Sequence, residues 1–374
     1  MTKANELTTI TQVESIDKNE HLASRLLVFI TIYVLLNYFI LSEIYLFLDA
    51  EKDILFTIFL VILSFSYVLG AASLRYSNNF LSRTANILGS LWLGMMVFIS
   101  VTLIIVEFLA HINVLHQNMK HVVTITTLII LTTYSIINAM RMTKKTIKIS
   151  NSKIKKSLRL VQISDLHIGA SHNQDFLINI IKKVNEENPD ITVITGDLID
   201  GKHKYAPNYF DSLNQITSPV YMITGNHERM TGMRRVFELL KNSNVFLLED
   251  KKIKTKDVTI IGIDDTENSS KMIKTLKNMN LNKEDYNILL FHRPKKFNKA
   301  ISLGVDLMLT GHTHAGQIFP LNLLLKFFYK KVKGLKKQND SYLYVSPGTG
   351  WWGPPMRLGS KNEITIFELE PSKK

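Results

Sequence analysis

The chain of 374 residues contains no cysteine. This absence excludes disulfide scaffolds, metal sites built on thiolates, and enzymes with a cysteine nucleophile. Charge is scarce in one region: residues 1–140 contain seven Lys or Arg and nine Asp or Glu, whereas the remainder contains 38 and 23. The net charge of +13 therefore comes from residues 141–374. The sequence predicts an apolar region followed by a charged one.

The apolar region contains four long runs without charge. They cover residues 26–42, 54–74, 84–106 and 122–140. A helix needs about 20 mostly apolar residues to cross a bilayer, and none of the runs has the polar stripe of a soluble bundle helix. We therefore expect four transmembrane helices over residues 24–141, preceded by a cytoplasmic tail over residues 1–23. Acidic residues before the first run argue against a cleaved signal peptide.

The basic residues of the connecting segments predict an orientation. The tail, the loop after the second run and the segment after the fourth carry three, two and eight Lys or Arg, whereas the other two loops carry one each. Positive charge stays on the cytoplasmic side, so we expect a bacterial inner-membrane protein with its charged region in the cytoplasm. Residues 142–157 are predicted to form a basic juxtamembrane linker against anionic headgroups. The last three runs contain no Asp, Lys or Arg, which favours an anchor over a transporter.

From residue 158 onwards, short Val- and Ile-rich runs alternate with amphipathic stretches. Strands are predicted at residues 159–163, 191–194, 220–223, 258–263, 286–291, 307–309, 342–345 and 363–369. Helices are predicted at residues 175–185, 229–241 and 269–278. This alternation is typical of an α/β domain with helices on the faces of a sheet. We assign residues 158–374 to it.

Side chains that can bind metal follow five of these strands directly. In order, they are Asp165 and His167, Asp197, Asn226 and His227, His292, and finally His312 and His314. The carboxyl ends of strands in an α/β sheet meet at the edge where ligands bind. Residues i and i+2 of extended backbone also point to the same side. We therefore expect these side chains to share one pocket.

The chemistry of this set suits divalent metals. Carboxylate, amide and imidazole ligands together favour Mn²⁺, Fe²⁺ or Zn²⁺ over Ca²⁺, and Mn²⁺ is the expected ion. Seven of these eight side chains, namely two carboxylates, an amide oxygen and four imidazoles, are too many ligands for one catalytic ion and suit two. At a separation of ~3.5–4 Å two ions clamp a phosphoryl group and activate water. The chain lacks the Gly-x-Ser-x-Gly motif of serine hydrolases and the phosphate-binding loop Gly-x-x-x-x-Gly-Lys-Ser/Thr.

The five motifs, in this order, resemble the calcineurin-like metallophosphoesterase superfamily over residues 158–374. The resemblance implies a two-sheet α/β sandwich, here preceded by an all-α domain of four transmembrane helices. It also implies that one metal is held by Asp165, His167 and His314, and the other by Asn226, His292 and His312. Asp197 would then bridge the two ions. His227 would contact phosphate and assist the leaving group as a catalytic residue.

The spans together with this domain resemble the membrane-anchored bacterial branch of the superfamily and the eukaryotic transmembrane proteins that carry it. The segment Gly348-Thr-Gly-Trp351-Trp352-Gly-Pro-Pro-Met-Arg357 is similar to the C-terminal signature of that branch. The resemblance implies hydrolysis of a phosphodiester or pyrophosphate in a lipid-linked or nucleotide-sugar substrate. UDP-2,3-diacylglucosamine, a precursor in lipid A biosynthesis, is one example, although its soluble hydrolases have arginine at the position of His227.

Several alternatives remain open on the sequence. Trp351, Trp352 and Arg357 either contact substrate or pack a loop and the surface. Glu228 either supports the ligands or starts a helix on the surface, and residues 321–331 form either a membrane-dipping amphipathic element or a core helix. A tethered nuclease or nucleotide phosphodiesterase would suit the basic domain, although nucleic acid is not the expected partner. A metal-binding membrane sensor without activity is the non-enzymatic alternative, and the oligomeric state stays undetermined.

Overall fold

The computed structural model describes residues 27–372 except residues 78, 170, 202, 204, 207 and 256. The predicted tail over residues 1–23, and the first residues of the predicted membrane region, lie outside this part of the chain. Four long apolar helices come first. They are α1 (Leu27–Phe47), α2 (Ile54–Tyr76), α3 (Phe80–His111) and α4 (Lys120–Met140). Each is long and apolar enough to cross a bilayer.

Small residues allow α2 and α3 to pack closely. A methyl group at Gly70 would lie 2.6 Å from the carbonyl oxygen of Ala85, and one at Gly89 would lie 2.5 Å from that of Ser66. Close backbone approach through small residues is a common way for transmembrane helices to associate. The two helices therefore form a tight antiparallel hairpin whose connection lies between Tyr76 and Phe80.

The remainder of the chain forms two six-stranded sheets. The strands of the first sheet are β1 (Met142–Asn151), β2 (Leu158–Ile163), β3 (Ile191–Thr195), β4 (Val220–Ile223), β5 (Val245–Leu247) and β12 (Asn362–Pro371). Those of the second are β6 (Lys251–Lys254), β7 (Thr259–Ile263), β8 (Asn287–Phe291), β9 (Leu307–Thr310), β10 (Gly334–Gln338) and β11 (Ser341–Val345). Their spatial orders are β1-β12-β2-β3-β4-β5 and β10-β11-β9-β8-β7-β6. Strands β2, β3, β4 and β5 run parallel to one another, as do β7, β8, β9 and β11. The pairs β12–β2, β6–β7 and β10–β11 are antiparallel.

The two sheets pack face to face and helices cover their outer faces, which confirms the predicted α/β sandwich. Leu160 and Val193 of the first sheet meet Ile288 and Leu290 of the second in one buried cluster. The domain helices are α5 (Gln174–Asn185), α6 (Asn226–Thr231), α7 (Met233–Leu240), α8 (Ser269–Asn278), α9 (Phe297–Ser302) and α10 (Leu321–Phe328). Strands buried on both faces read as continuous apolar runs, which is why the central strands were visible in the sequence.

Strands β5, β6 and β10 and helix α9 were not predicted, and two predicted segments take a different form. Residues 142–151, predicted as part of a linker, form β1, which pairs in parallel with β12. Its buried residues are Ile147 and Ile149, and Lys144, Lys145 and Lys148 gave this short segment the composition of a basic linker. The helix predicted over 229–241 is divided into α6 and α7 at Gly232, whose φ of +95° interrupts a helix.

The α/β domain is docked directly on the apolar helices. Asn138, near the end of α4, donates to the carbonyl oxygens of Arg357 (2.9 Å) and Ser360 (2.8 Å). Phe98 of α3 packs against Ile318 and Met356 in a buried apolar cluster. Contacts from two spans therefore fix the orientation of the domain relative to the membrane region.

Candidate metal centre

The predicted ligands converge at the carboxyl ends of the strands. One group consists of Asp165, His167 and His314, and another of Asp197, His292 and His312; within each group the ligand atoms lie within 4.8 Å of one another. Asp197 also groups with His167 and His227. Its Oδ2 lies 3.2 Å from Nε2 of His292 and 3.9 Å from Nε2 of His167. Asp197 thus stands between the two groups.

At five of the seven predicted ligands the backbone is left-handed and not extended. The expectation that extended backbone points residues i and i+2 to the same side was therefore wrong here. The φ angles are +54° at Asp165, +47° at His167, +54° at Asp197, +71° at His312 and +47° at His314. Such angles are strained for residues with a Cβ and persist where the surroundings enforce them. The side chains nevertheless reach one site, because each turn carries its ligand from the end of a buried strand.

Glu228 enforces the conformation around Asp197. Its side chain is fully buried. Oε2 accepts hydrogen bonds from the backbone N–H of Asp197 (2.9 Å) and of Gly225 (2.7 Å), and Oε1 accepts one from Ile199 (2.8 Å). The surface position considered for Glu228 is therefore wrong, and this carboxylate ties the turn after β3 to the turn after β4.

Other ligands are held by their own partners. Asp165 accepts from the hydroxyl of Ser164 (2.6 Å) and from the backbone N–H of His312 (2.9 Å). Nδ1 of His292 lies 2.8 Å from the carbonyl oxygen of Thr195, so it carries the proton and donates. Ligating histidines commonly use such a bond to fix the tautomer. The bond leaves Nε2 of His292 free to face Asp197.

The donor atoms fit a pair of divalent cations. Oδ1 of Asn226 is buried and has no hydrogen-bond partner among the described residues. Nε2 of His167 and Nε2 of His314 lie 3.0 Å apart, and Nδ1 of His312 lies 3.2 Å from Nε2 of His292. Cations between these facing nitrogens would satisfy both members of each pair as well as the orphaned amide oxygen.

The charges within the site are unevenly distributed. Burial alone would lower the pKa of His292, but the Asp197 carboxylate raises it to about 10. Burial opposes ionisation of Asp197, yet the charge of His292 holds its pKa well below the usual range. Burial, with His292 nearby, lowers the pKa of His312 to about 2. The imidazole of His312 is therefore neutral, as a ligand must be.

His227 lies beside this set with a partner that the sequence analysis did not single out. Its Nδ1 is 2.7 Å from Oδ1 of Asp200, and its ring centroid is 4.6 Å from that of His167. Burial would lower the pKa of His227, but the hydrogen bond with Asp200 and the charge of Asp197 raise it to about 9. Asp200 follows Asp197 by three residues, and that second carboxylate was the available signal.

The three residues considered for substrate contact occupy different positions. Trp352 is 44% exposed and lies 6.3 Å from His227 between ring centroids. Trp351 is half-buried and packs against His172, with ring centroids 3.9 Å apart. Arg357 is fully buried, and its guanidinium donates to the carbonyl oxygens of Pro347, Gly350 and His314 and to the hydroxyl of Ser360. Arg357 is therefore not the surface arginine of the second alternative, and its contact with substrate stays a prediction.

Comparison with known proteins identifies the family and several relatives of this chain. Residues 158–316 match the family described as calcineurin-like phosphoesterase. An uncharacterized metallophosphoesterase of Campylobacter jejuni is 35% identical over 248 residues, covering 64% of this chain and 66% of that protein. One of Aquifex aeolicus is 30% identical over 244 residues, covering 62% and 92%.

A transmembrane protein with metallophosphoesterase domain from Danio rerio is 35% identical over 266 residues, covering 64% of this chain and 60% of that protein. The chain thus spans about three fifths of the length of several curated relatives. The family match over residues 158–316 contains all seven predicted ligands.

Proposed function

Because the chain belongs to the calcineurin-like phosphoesterases, we propose that it is a metal-dependent hydrolase of phosphodiester or pyrophosphate bonds that works at a membrane surface. The observation that carries this proposal is the convergence of the two Asp and four His ligands, together with the buried Asn226 oxygen that has no partner in the described part of the chain. A buried polar atom without a partner is costly unless a ligand satisfies it.

The residues divide between two sites. Asp165, His167 and His314 would hold one cation, and Asn226, His292 and His312 the other, with Asp197 serving both. Bound Mn²⁺, or Fe²⁺ or Zn²⁺ in its place, supplies Lewis acidity at the phosphoryl oxygens and a nucleophilic water.

His227 would act on the leaving group. Because Nδ1 bonds to the Asp200 carboxylate, the ring is held with its Nε2 turned to the other side. A protonated imidazole at this position stabilises and protonates the oxygen that gains negative charge as the ester bond breaks. Asp200 orients the ring and keeps it protonated.

We also propose that the substrate is amphipathic, as in a lipid-linked or nucleotide-sugar phosphoester. The support comes from α10, none of whose residues is buried, which argues against the core-helix alternative. Phe327 and Phe328 are 84% and 74% exposed, and Tyr329, the next residue, packs its ring 5.8 Å from that of His312. A short helix with exposed aromatic residues and adjacent lysines suits the interface of a bilayer.

The test uses the purified full-length protein with Mn²⁺ and three substrates: bis(p-nitrophenyl) phosphate, UDP-2,3-diacylglucosamine and single-stranded DNA. We expect turnover of the first two that Asp197→Ala abolishes and that the exposed-turn variant Asp340→Ala retains. Equal turnover by Asp197→Ala would reject the enzyme, leaving the non-enzymatic sensor. Turnover of DNA alone would replace the amphipathic substrate with a tethered nuclease.

The orientation is part of the proposal. We place both termini in the cytoplasm of a bacterium, with the bilayer as a partner. The end of α2 supports a common side for the α2–α3 connection and the α/β domain, because the carbonyl oxygen of Leu74 in the last turn of α2 lies 3.5 Å from Nδ1 of His203. A reporter enzyme that works only outside the cytoplasm is fused to the C-terminus, and activity of this reporter would overturn the orientation.

A further inference from the structure

A cavity of about 430 Å³ lies between the membrane hairpin and the metal centre. Asp200, His227 and Trp352 line it from the catalytic domain. The transmembrane helices α2 and α3 contribute Tyr67, Ala71, Asn86 and Ser90. The spans therefore form one wall of a cavity whose other wall carries the leaving-group histidine.

Close packing on both sides holds the walls of the cavity in place. Within the hairpin, Gly70 and Gly89 bring α2 and α3 into backbone contact. Between the hairpin and the domain, a methyl group at Gly94 of α3 would lie 2.7 Å from the sulfur of Met356. The segment that carries Trp352 is thus seated directly on α3, and the cavity is a feature of the docked structure.

The span side of the cavity includes a polar atom that needs a partner. Ser90 is 2% exposed, lines the cavity, and has no hydrogen-bond partner for its hydroxyl among the described residues. Ser100, further along α3, is also buried without such a partner but does not line the cavity. A buried hydroxyl is costly without a hydrogen bond, and only Ser90 can obtain one from a molecule in the cavity.

The lining indicates what the occupant carries. Hydroxyl, phenol, amide and imidazole groups surround the space, and its volume lies within the range of about 300–1,000 Å³ typical of small-molecule sites. His227 lies at the end of the cavity next to His167. When the phosphorus is at the metal centre, the leaving alcohol lies next to His227, and the rest of that alcohol extends into this cavity.

We propose that this cavity binds the hydroxyl-bearing alcohol portion of the phosphoester, such as a sugar or glycerol unit. The α2–α3 hairpin then selects the substrate and does more than anchor the enzyme. This inference rests on the proposed function, since it places the reacting phosphorus at the metal centre. Ser90 contributes a hydrogen bond to the occupant, and Ala71 limits the size of the cavity.

The absence of native cysteine makes the cavity directly testable. Ser90→Cys and Ser100→Cys each introduce a single thiol of nearly the same size as serine. The full-length variants, in lipid nanodiscs with Mn²⁺, are treated with a water-soluble methanethiosulfonate reagent. Labelling is measured alone, with inorganic phosphate, and with glucose 1-phosphate or glycerol 1-phosphate.

We expect Ser90→Cys to react faster than Ser100→Cys. Either organic phosphate should slow its labelling at least fivefold, whereas inorganic phosphate, which fills only the metal centre, should not. Labelling of Ser100→Cys should not respond. The proposal is overturned if Ser90→Cys reacts no faster than Ser100→Cys, or if neither organic phosphate protects it.

A second pair of variants measures selection. Ala71→Leu fills the cavity, and the neighbouring Ala72→Leu makes the same change outside its lining. We expect Ala71→Leu to lower kcat/KM for release of glucose from methyl glucosyl phosphate relative to release of methanol from dimethyl phosphate at least tenfold, because the two diesters keep the same methyl phosphate and differ in the leaving alcohol. Ala72→Leu should keep the wild-type ratio. An unchanged ratio in Ala71→Leu would contradict the proposal.

The two proposals fail separately. Absence of metal-dependent turnover by the wild-type protein would reject the hydrolase, but protection of the Ser90→Cys thiol requires binding alone. Turnover without protection would leave the hydrolase in place and reject the cavity as the site of the alcohol portion.

Discussion

The substitution Glu228→Gln removes one charge from the support of the metal centre while keeping the shape of the side chain. Oε2 of Glu228 accepts the backbone N–H groups of Asp197 and Gly225, and Oε1 accepts that of Ile199. A glutamine can keep its oxygen on only one side. Its NH₂ group would then face the N–H of Ile199 or, in the opposite orientation, the N–H groups of Asp197 and Gly225.

The expected loss follows from these bonds. A hydrogen bond to a charged group contributes about 1.5–3 kcal/mol. With the amide oxygen kept on Asp197 and Gly225 and the NH₂ group facing Ile199, the variant loses one such bond and about 1.5–3 kcal/mol. For a domain of this size each kcal/mol moves Tm by roughly 2–4 °C, which gives a decrease of about 3–12 °C. The support of the turn at Asp197 is weakened, and Mn²⁺ affinity falls about tenfold or more.

Thermal unfolding of the metal-free protein in detergent measures the first effect, and titration with Mn²⁺ measures the second. The control is Glu238→Gln on α7, where the side chain is 50% exposed and no change is expected. A Tm and a Mn²⁺ affinity equal to those of the wild type would refute the role given to Glu228.

Three further predictions concern other parts of the molecule. His227→Gln should lower kcat about 100-fold with unchanged bound Mn²⁺, whereas a parallel loss of metal would make His227 a ligand. Glu187→Gln should cost about 1 kcal/mol at pH 7, because hydrogen bonds from Lys144 lower the pKa of Glu187. This stabilisation is present above the unfolded pKa of about 4.3 and is lost as the pH falls through the lower pKa of the folded protein. The denaturation curves of the two proteins should therefore converge on acidification, and curves that stay equally far apart would contradict this prediction. Replacing Phe327 and Phe328 by serine should reduce turnover of UDP-2,3-diacylglucosamine in vesicles several-fold relative to bis(p-nitrophenyl) phosphate, and an unchanged ratio would remove α10 from substrate access.

The sequence identified the elements whose pattern is local. The central strands β2, β3, β4, β8 and β9 are continuous apolar runs, and the metal-binding side chains follow them directly, so both could be found without coordinates. The edge strand β6, Lys251–Lys254, has the composition of a charged loop. It forms a strand because its backbone hydrogen-bonds to β7.

The supporting residues could not be predicted for a different reason. Glu228 bonds to backbone N–H groups around Asp197, about 30 residues away, and Asp200 is defined by its contact with His227. These partners meet only after β3 and β4 are paired. The cavity beside Ser90 depends further on how the domain docks on α3, which no pattern in either region indicates.

The claim that seven side chains bind a pair of divalent cations is tested most directly by anomalous scattering from crystals grown with Mn²⁺. Data collected at the manganese edge should show two peaks separated by about 3.5–4 Å, one on each side of the Asp197 carboxylate. Absence of any peak among these residues, or a single peak that Asp197 does not contact, would contradict the account.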